Sequence, residues 1–408
     1  MNSKQLFQIA LGEIQPWFIE KIEFIEGGDK AKELHLHLDF PKGSTFEDDG
    51  GTACKAYDTK LHTWRHLNFF EHRCYLHAFV PRITASDGKV RTVQVPWARR
   101  NTGFTLLFEA YAMSLIELEM PVSNVARLLG ENDQRIWNIF HHYVGEARAA
   151  TDYGGVTKVG LDETSTRKGH KYVTIGVDLD KRRVFEVVEG KDANAVEKLG
   201  DFLEQHGSPK SEVAHLSIDM SPAFVSGCMD TFENGKVTFD RFHVTKVVGG
   251  AMDKLRKLER AECELLKGHK YTLLKNPVGL SGKRFDKLMD LLELYPRIGE
   301  GYRLKELLKE FWDFDDPKLA EEFLTDWCKR CDKSGIFPFQ EAAKTIRAHW
   351  SGILNYTLSK ISNGILEGIN SKVQLARKRA RGFRNTQNFI SMILFLCGKL
   401  EFKPLYAR

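Results

Sequence analysis

Between residues 156 and 244 the spacing of apolar residues changes in an order that few folds accommodate. KVGLDETS, KYVTIGVDLD and RRVFEVVEG are three closely spaced segments of strand character. ANAVEKLGDFLEQHG follows with apolar residues at helical spacing. VAHLSIDM reads as a fourth strand, a helix opens near Ser221-Pro222, and KVTFDRFHV reads as a fifth strand. The short links make the first three strands a meander. The later strands arrive through helices, so they join the sheet by crossovers as parallel neighbours.

That order, βββαβαβ, is the ribonuclease-H-like layout. It sets the first and fourth strands side by side in the centre of the sheet. Asp162 follows the apolar run Val159-Gly160-Leu161, and Asp219 ends Leu216-Ser217-Ile218. Neighbouring strands lie about 4.8 Å apart, so two aspartates at matching ends stand close together. Such carboxylates repel unless a positive charge sits between them, and hard Mg²⁺ or Mn²⁺ suits carboxylate oxygen. Glu163, Asp178, Asp230 and Asp240 compete for the role, and Asp219 reads equally well as a helix N-cap ahead of Met220-Ser221-Pro222. Asp240 and His243, in DRFHV, are candidate neighbours of the site or a buried structural pair.

A third acid comes from far downstream. In SNGILEGINSKVQLARKRARGFRN, Glu367 precedes six basic residues and no acidic one between Lys372 and Arg384. At helical spacing Asn370, Gln374, Arg377, Lys378 and Arg381 share the face of Glu367. Ile365, Ile369, Val373, Ala376 and Ala380 form an apolar stripe opposite, and Gly382 is a stop. A carboxylate beside arginines suits work on a polyanion: the acid can hold a metal, the arginines phosphates. A solvated basic face gives the same pattern.

The remaining segments are less specific. Residues 1–100 read as β structure, with Leu34, Leu36, Leu38 and Phe40 alternating as a half-buried strand. Trp17 to Ile25, ending at Gly27-Gly28-Asp29, pairs with it, and Cys74 to Ile83 and Val90 to Trp97 form another pair. His35, His37, His62, His66, His72 and His77 show no crisp metal spacing and read as satisfied or surface groups. Residues 104–148 are helical. Val122 to Leu129, the turn Gly130-Glu131-Asn132 and a second helix capped by Asp133 make a helix-turn-helix pattern, with Gln134 and Arg135 opening the second helix. Residues 245–355 are helical and rich in Glu, Lys and Leu, and Cys328 and Cys331 within them read as helix packing. Seven scattered cysteines, Cys263 among them, fit a reducing compartment. The N-terminal stretch lacks a signal-peptide core, and no apolar run is long enough to span a bilayer, so the expected location is the cytoplasm. The net charge of +5 permits nucleic-acid binding without demanding it.

The motifs jointly resemble the DDE transposases of bacterial insertion sequences, the ISL-three family. The likeness lies in TWRHLNFFEHRCYLHAFVPR, VPWARRNTGFTLLFE, PVSNVARLLGENDQRIW, GLDETS, SIDMSPAF, DRFHV and NGILEGINSKVQLARKRARGFRN, and covers nearly the whole chain. It implies a ribonuclease-H-like catalytic domain over 151–249 and 356–408, with a helical insertion over 250–355. It implies a helix-turn-helix over 101–150 that binds terminal inverted repeats, and a β-rich, zinc-ribbon-like module over 1–100. The implied catalytic and metal-binding acids are Asp162 of GLDET, Asp219 of SIDMS and Glu367 of LEGIN, holding two Mg²⁺ or Mn²⁺ ions for DNA cleavage and strand transfer. Gln134 and Arg135 are the expected base readers. Lys372, Arg377, Lys378, Arg379, Arg381 and Arg384 are the expected phosphate contacts. The expected partners are double-stranded DNA, as element ends and target, and further copies of the chain on that DNA, at the bacterial nucleoid and with no membrane. One departure stands out: the family's paired cysteines fall where this chain reads EDDGGTACKAYD, and a later one falls at Thr84-Ala85-Ser86. The zinc-binding region is degraded, and zinc is not assigned. A domesticated, catalytically idle DNA-binding regulator and a structure-selective nuclease on the same fold are the alternatives. The three acids argue against the first, and the N-terminal DNA-reading region against the second.

Overall fold

The structure, a computed structural model, describes residues 2–12, 14–28, 31–167, 171–262, 266–275, 280–361 and 364–402; Asp29 and Cys263 lie outside them. The chain divides into two compact units, one built on residues up to Ala147 and the other on Arg148–Glu401.

The first unit opens with a helix that the sequence pattern did not suggest, α1 (Ser3–Leu11), closed by a capping box between Asn2 and Gln5. Six strands follow: β1 (Phe18–Glu26), β2 (Lys32–Asp39), β3 (Thr45–Glu47), β4 (Ala53–Phe69), β5 (His72–Thr84) and β6 (Val90–Thr92). They form one sheet in the order β1-β2-β5-β4-β3, with β6 paired to β5. The expected β1–β2 hairpin is present, antiparallel. The segment Val90 to Trp97 is strand only as far as Thr92. Beyond it the Gln94 side-chain amide donates to the carbonyls of Val95 and Ala98, turning the chain inward, and Trp97 enters the core edge-on to Trp17 and Trp64.

Two features organise the sheet's polar parts. At the EDDGGTAC turn the Asp48 carboxylate accepts from the N–H groups of Gly50, Thr52 and Ser86 and from the Ser86 hydroxyl. A carboxylate thus ties together the two loops where the resemblance places cysteines. Cys74 is buried, its thiol pushed up to about 12 by burial, and Cys54 donates to the Thr52 carbonyl. On the opposite face the parallel β2–β5 register sets His37 beside His77. His77 bonds His35 at 2.7 Å and Thr63 at 2.9 Å, and His37 bonds Glu23 at 2.8 Å. His37 and His77 are thereby engaged, as expected, whereas His35 Nε2 is buried and meets no hydrogen-bond partner among the described residues.

Three helices complete the unit: α2 (Leu106–Glu117), α3 (Val122–Leu129) and α4 (Asp133–Ala149). Gly130, with φ 66°, makes the left-handed turn after α3. The cap of α4 is Asn132 and not Asp133: its side chain accepts the Gln134 N–H, and its carbonyl accepts those of Arg135 and Ile136. The helices are keyed to the preceding segment by the fully buried Glu109 of α2, which accepts from Arg99, Thr102 and Tyr143.

The second unit holds the meander β7 (Lys158–Arg167), β8 (Lys171–Asp178) and β9 (Arg183–Glu189). Then come α5 (Ala193–Gln205), β10 (His215–Ile218), α6 (Pro222–Thr231), β11 (Lys236–Phe239) and α7 (Arg241–Glu262). The sheet order is β11-β10-β7-β8-β9, with β10 parallel to β7 and to β11, the arrangement read from the sequence. KVTFDRFHV is strand only to Phe239. Asp240 ends it, because its carboxylate accepts the Phe242 N–H and its carbonyl the Val244 N–H, which starts α7.

Helices α8 (Lys270–Leu274), α9 (Gly282–Leu294), α10 (Pro296–Leu307), α11 (Pro317–Lys333), α12 (Phe337–Ala348) and α13 (Trp350–Ser359) follow. Their core, around Trp327, Phe311 and Phe339, is continuous with the sheet face that carries Val159, Leu216 and Ile218. Cys328 and Cys331 are buried in it, as expected of packing residues. α13 lies along the edge strand β11: Asn355 donates to the Val237 carbonyl, and Gly352 leaves room for the Phe239 ring. The chain is thereby returned to the sheet before α14 (Gly364–Arg379) and α15 (Thr386–Cys397), which cover the other face over β8 and β9.

His66 and His77 are both pushed down to about 4, His66 by burial and then by Arg65, His77 by burial and then by His37 and His35. As pH falls the unfolded chain takes up these protons from about 6.5, whereas the folded unit does so only near 4, so stability is lost between those values. Hydrogen exchange of β2 and β5 amides, corrected for intrinsic rates, should show less protection at about pH 4.5 than at about pH 7. Replacing both histidines with Gln should flatten that difference; an unchanged pH dependence would rule out these groups as its source.

Candidate active site

Register aligns the aspartates. The last β10–β7 pair is Ser217 with Gly160, so Asp219 and Asp162, each two residues on, are equivalent positions on adjacent parallel strands. The last β10–β11 pair is Ile218 with Phe239, so Asp240 is level with Asp219, and the Asp240 N–H donates to the Ile218 carbonyl. Three aspartates therefore lie in a row across β7, β10 and β11.

Their surroundings separate their roles. Asp240 is 5% exposed, and both its oxygens are engaged, one by the Phe242 N–H and the other by His243 Nδ1 at 2.9 Å. It is spent on holding the imidazole. His243 is raised above the usual histidine range by that hydrogen bond first, and Asp219 and Asp162 add to the pull, which sets the ring among the acids. Asp219 accepts the Ser221 N–H at 2.8 Å; the N-cap of α6 is Ser221, so Asp219 shapes the turn ahead of the helix without capping it. Asp162 is pushed up to about 6, chiefly by burial, with Asp219 contributing; hydrogen bonds from Glu163 and Asn370 act against the rise. Among the sequence's competitors, Asp178 is buried at the far end of β8 beside Arg183, and Asp230 accepts from Ser226.

Helix α14 crosses β7 here. Leu366, Ile369 and Val373 are buried against Val173, Ile175 and Val177 of the meander, worth roughly 1.5–3 kcal/mol apiece. Gly160 eases the approach, since a Cβ there would stand 2.9 Å from the Leu179 side chain and 3.1 Å from that of Leu366. The polar face then sets the register. Asn370 donates to Asp162, Gln374 to the Thr164 hydroxyl at 3.1 Å, and Arg377 to the Ser165 carbonyl at 2.7 Å. At about 1 kcal/mol each, these bonds orient a helix that apolar burial holds. Glu367 is exposed in the first turn, three residues ahead of Asn370 and on its face. Among the described residues no three His, Cys, Asp or Glu side chains converge closely enough to hold a metal ion.

The basic residues divide. Arg377 is half-buried and committed in part to β7, while Lys372, Lys378, Arg379 and Arg384 are exposed. Arg381 does not continue the helical face: α14 ends at Arg379, Arg381 and Gly382 take φ of 54° and 92°, and the Gly382 N–H closes on the Arg377 carbonyl. In the first unit, Gln134 is exposed and bonded to Asn138. Arg135 is paired with Glu131 at 2.5 Å, and its guanidinium lies 4.1 Å over the Phe104 ring. The sequence put Asn370 on the right face but assigned it no role; its contact with Asp162 joins positions 208 residues apart.

Comparisons with known proteins fit this geometry. A family model described as a transposase, for the DDE type of the ISL3 group, matches residues 159–393. Another, described as the helix-turn-helix domain of transposase family ISL3, matches residues 93–144. The chain is similar to the transposase for insertion sequence element IS1557 of Mycobacterium tuberculosis, at 26% identity over 97% of this chain and 95% of that one. It is also similar to the transposase for IS1001 of Bordetella parapertussis, at 23% identity over 94% and 96%. A helix-turn-helix followed by a DDE unit in an α/β chain defines a DNA transposase. Within that class, the chain belongs to the ISL3 family. No helix among the described residues is long and apolar enough to cross a membrane.

Asp240→Asn should move the His243 titration, followed by its ring-proton resonances, to lower pH. The raised folded value means that the pair's stabilisation is present below about pH 6.5 and is lost as pH rises through the folded value. A titration unchanged by the substitution would assign the shift to another source.

Proposed function

We propose that this transposase binds the terminal inverted repeats of its insertion sequence and carries out DNA cleavage and strand transfer by in-line phosphoryl transfer. Residues 151–249 and 356–408 are read as a ribonuclease-H-like catalytic domain, and 250–355 as a helical insertion within it. Residues 101–150 are read as the DNA-reading helix-turn-helix, and 1–100 as a β-rich module to which no zinc is assigned. The protein works on double-stranded DNA as a homo-oligomer, in the cytoplasm at the nucleoid. The observation that carries the reading is the register of Asp162 and Asp219 on adjacent parallel strands, with the Glu367 helix laid over β7.

Asp162, Asp219 and Glu367 would hold two Mg²⁺ or Mn²⁺ ions. The donor set suits them: carboxylate oxygens are hard ligands, and a carboxyl raised by burial gains from a cation. When bound, such ions lower the pKa of an attacking water or 3′-hydroxyl and stabilise the leaving oxygen. The chain's own residues do the rest. Asp240 favours the charged form of the His243 imidazole beside the acids, where the ring can donate to a phosphate oxygen. Arg377 fixes the Glu367 helix on β7, and Lys372, Lys378, Arg379, Arg381 and Arg384 supply cations for the DNA backbone. Gln134 and Arg135 open the helix that reads bases, Arg135 exchanging Glu131 for DNA.

Asp162→Asn, Asp219→Asn and Glu367→Gln should each abolish Mg²⁺-dependent cleavage of element ends, by at least about a thousandfold, while leaving end binding within about threefold; these limits are set from the size of electrostatic transition-state effects. Near-normal cleavage by any one would remove that residue from the set and turn attention to Glu163.

A binding titration across a salt series should separate two classes of DNA contact. Gln134→Ala and Arg135→Ala should weaken cognate ends selectively, because base-edge contacts carry sequence information. Neutralising Lys378, Arg379 or Arg381 should weaken cognate and random duplexes alike and flatten the log–log salt slope by roughly one unit per lost contact. Equal losses on both duplexes for Arg135→Ala would instead make residues 120–145 a structural hairpin.

A further inference from the structure

Asn370 is bound to Asp162 in an arrangement that leaves one of its own atoms unsatisfied. Its side-chain Nδ2 donates to Asp162 Oδ2, while Asp162 Oδ1 accepts the Glu163 N–H at 2.7 Å. Its carbonyl oxygen, Oδ1, is buried and meets no donor among the described residues. A buried amide oxygen without a partner costs about 1–3 kcal/mol, and such a cost persists where the atom has another use. The amide could turn end for end about its last torsion without moving the helix. Oδ1 would then face the Asp162 carboxylate, acceptor against acceptor, which is favourable only with a cation between them. Carboxylate and amide oxygens are both ordinary ligands of hard divalent ions. The backbone is held for either orientation, since Leu366, Ile369 and Val373 are buried on one side of Asn370 and Gln374 and Arg377 are bonded to β7 on the other.

We infer that Asn370 is a switching ligand: its amide NH₂ occupies Asp162 in the metal-free protein, and its carbonyl oxygen joins Asp162 on the divalent cation when the cation binds. The inference rests on the proposal that Asp162 holds such a cation. It adds a neutral oxygen donor to the three acids, without adding negative charge to a site that must also accept a phosphodiester. It also accounts for a donor that, beside His243, keeps the buried Asp162 carboxyl in order before the metal arrives.

The test uses the full chain with Mn²⁺ as the probe, free ion being read from its electron paramagnetic resonance signal, and thermal melting in metal-free buffer as a second readout. Asn370→Leu removes both donor and oxygen, and should weaken Mn²⁺ binding about tenfold or more. Asn370→Asp keeps an oxygen ligand but sets a second carboxylate against Asp162. It should bind Mn²⁺ at least as tightly as the parent, melt at lower temperature without metal, and recover on adding Mn²⁺. If Asn370→Leu binds Mn²⁺ like the parent, or if Asn370→Asp loses as much affinity as Asn370→Leu, the oxygen is no ligand and the inference is overturned. Asp162→Asn runs alongside: if it leaves Mn²⁺ binding intact, or if the parent binds none, the assignment of the metal to Asp162 itself fails, a result distinct from any shown by the Asn370 variants alone.

Discussion

The second unit depends on one close approach, that of α14 to β7. Gly160 has no side chain to block it, Leu366 fills the space, and three side chains of α14 reach the edge of the strand that carries Asp162. Without this approach Glu367 would sit on a helix with no fixed relation to the aspartates. Apolar burial supplies most of the attraction, and the three hydrogen bonds choose among sliding positions that burial alone would leave nearly degenerate.

The rest of the second unit serves that approach. The parallel strands β10 and β11 set Asp219 and Asp240 in line with Asp162, and the strand ends give each aspartate a different fate. Asp240 is consumed by capping α7 and holding His243, whereas among the described residues Asp219 accepts the Ser221 N–H and Asp162 accepts the Glu163 N–H and the Asn370 amide. The helices from α7 to α13 share one core with the sheet. Through Asn355 and Gly352, α13 covers the edge strand β11. An edge that would otherwise expose unpaired backbone is thereby closed, and the chain is brought back to where α14 must start.

In the first unit two buried or turn-forming carboxylates tie separate segments together through side-chain hydrogen bonds. Asp48 draws two loops onto one carboxylate, and Glu109 gathers Arg99, Thr102 and Tyr143 in the interior. Both depend on charge-assisted bonds, which are stronger than neutral ones. Arg135 is pre-positioned in the same way, held by Glu131 and Phe104 at the start of α4.

What the sequence determined by itself was what local period sets. The strand and helix order of residues 156–244, the buried stripe of α14 and the turn at Gly130 follow from neighbours a few residues apart, and so does the parallel placement of Asp162 and Asp219, because crossovers admit little else. Its errors were local as well: the cap at Asn132, the end of β11 at Phe239 and the end of α14 at Arg379 turned on single hydrogen bonds that compete within one turn of chain. Only the tertiary structure decided which acids were already spent. Asp240 and Asp162 look alike as strand-end aspartates. The difference is made by a histidine three residues from one and an asparagine 208 residues from the other. Periodicity carries no information about contacts at that separation, because they are formed by the packing of whole elements.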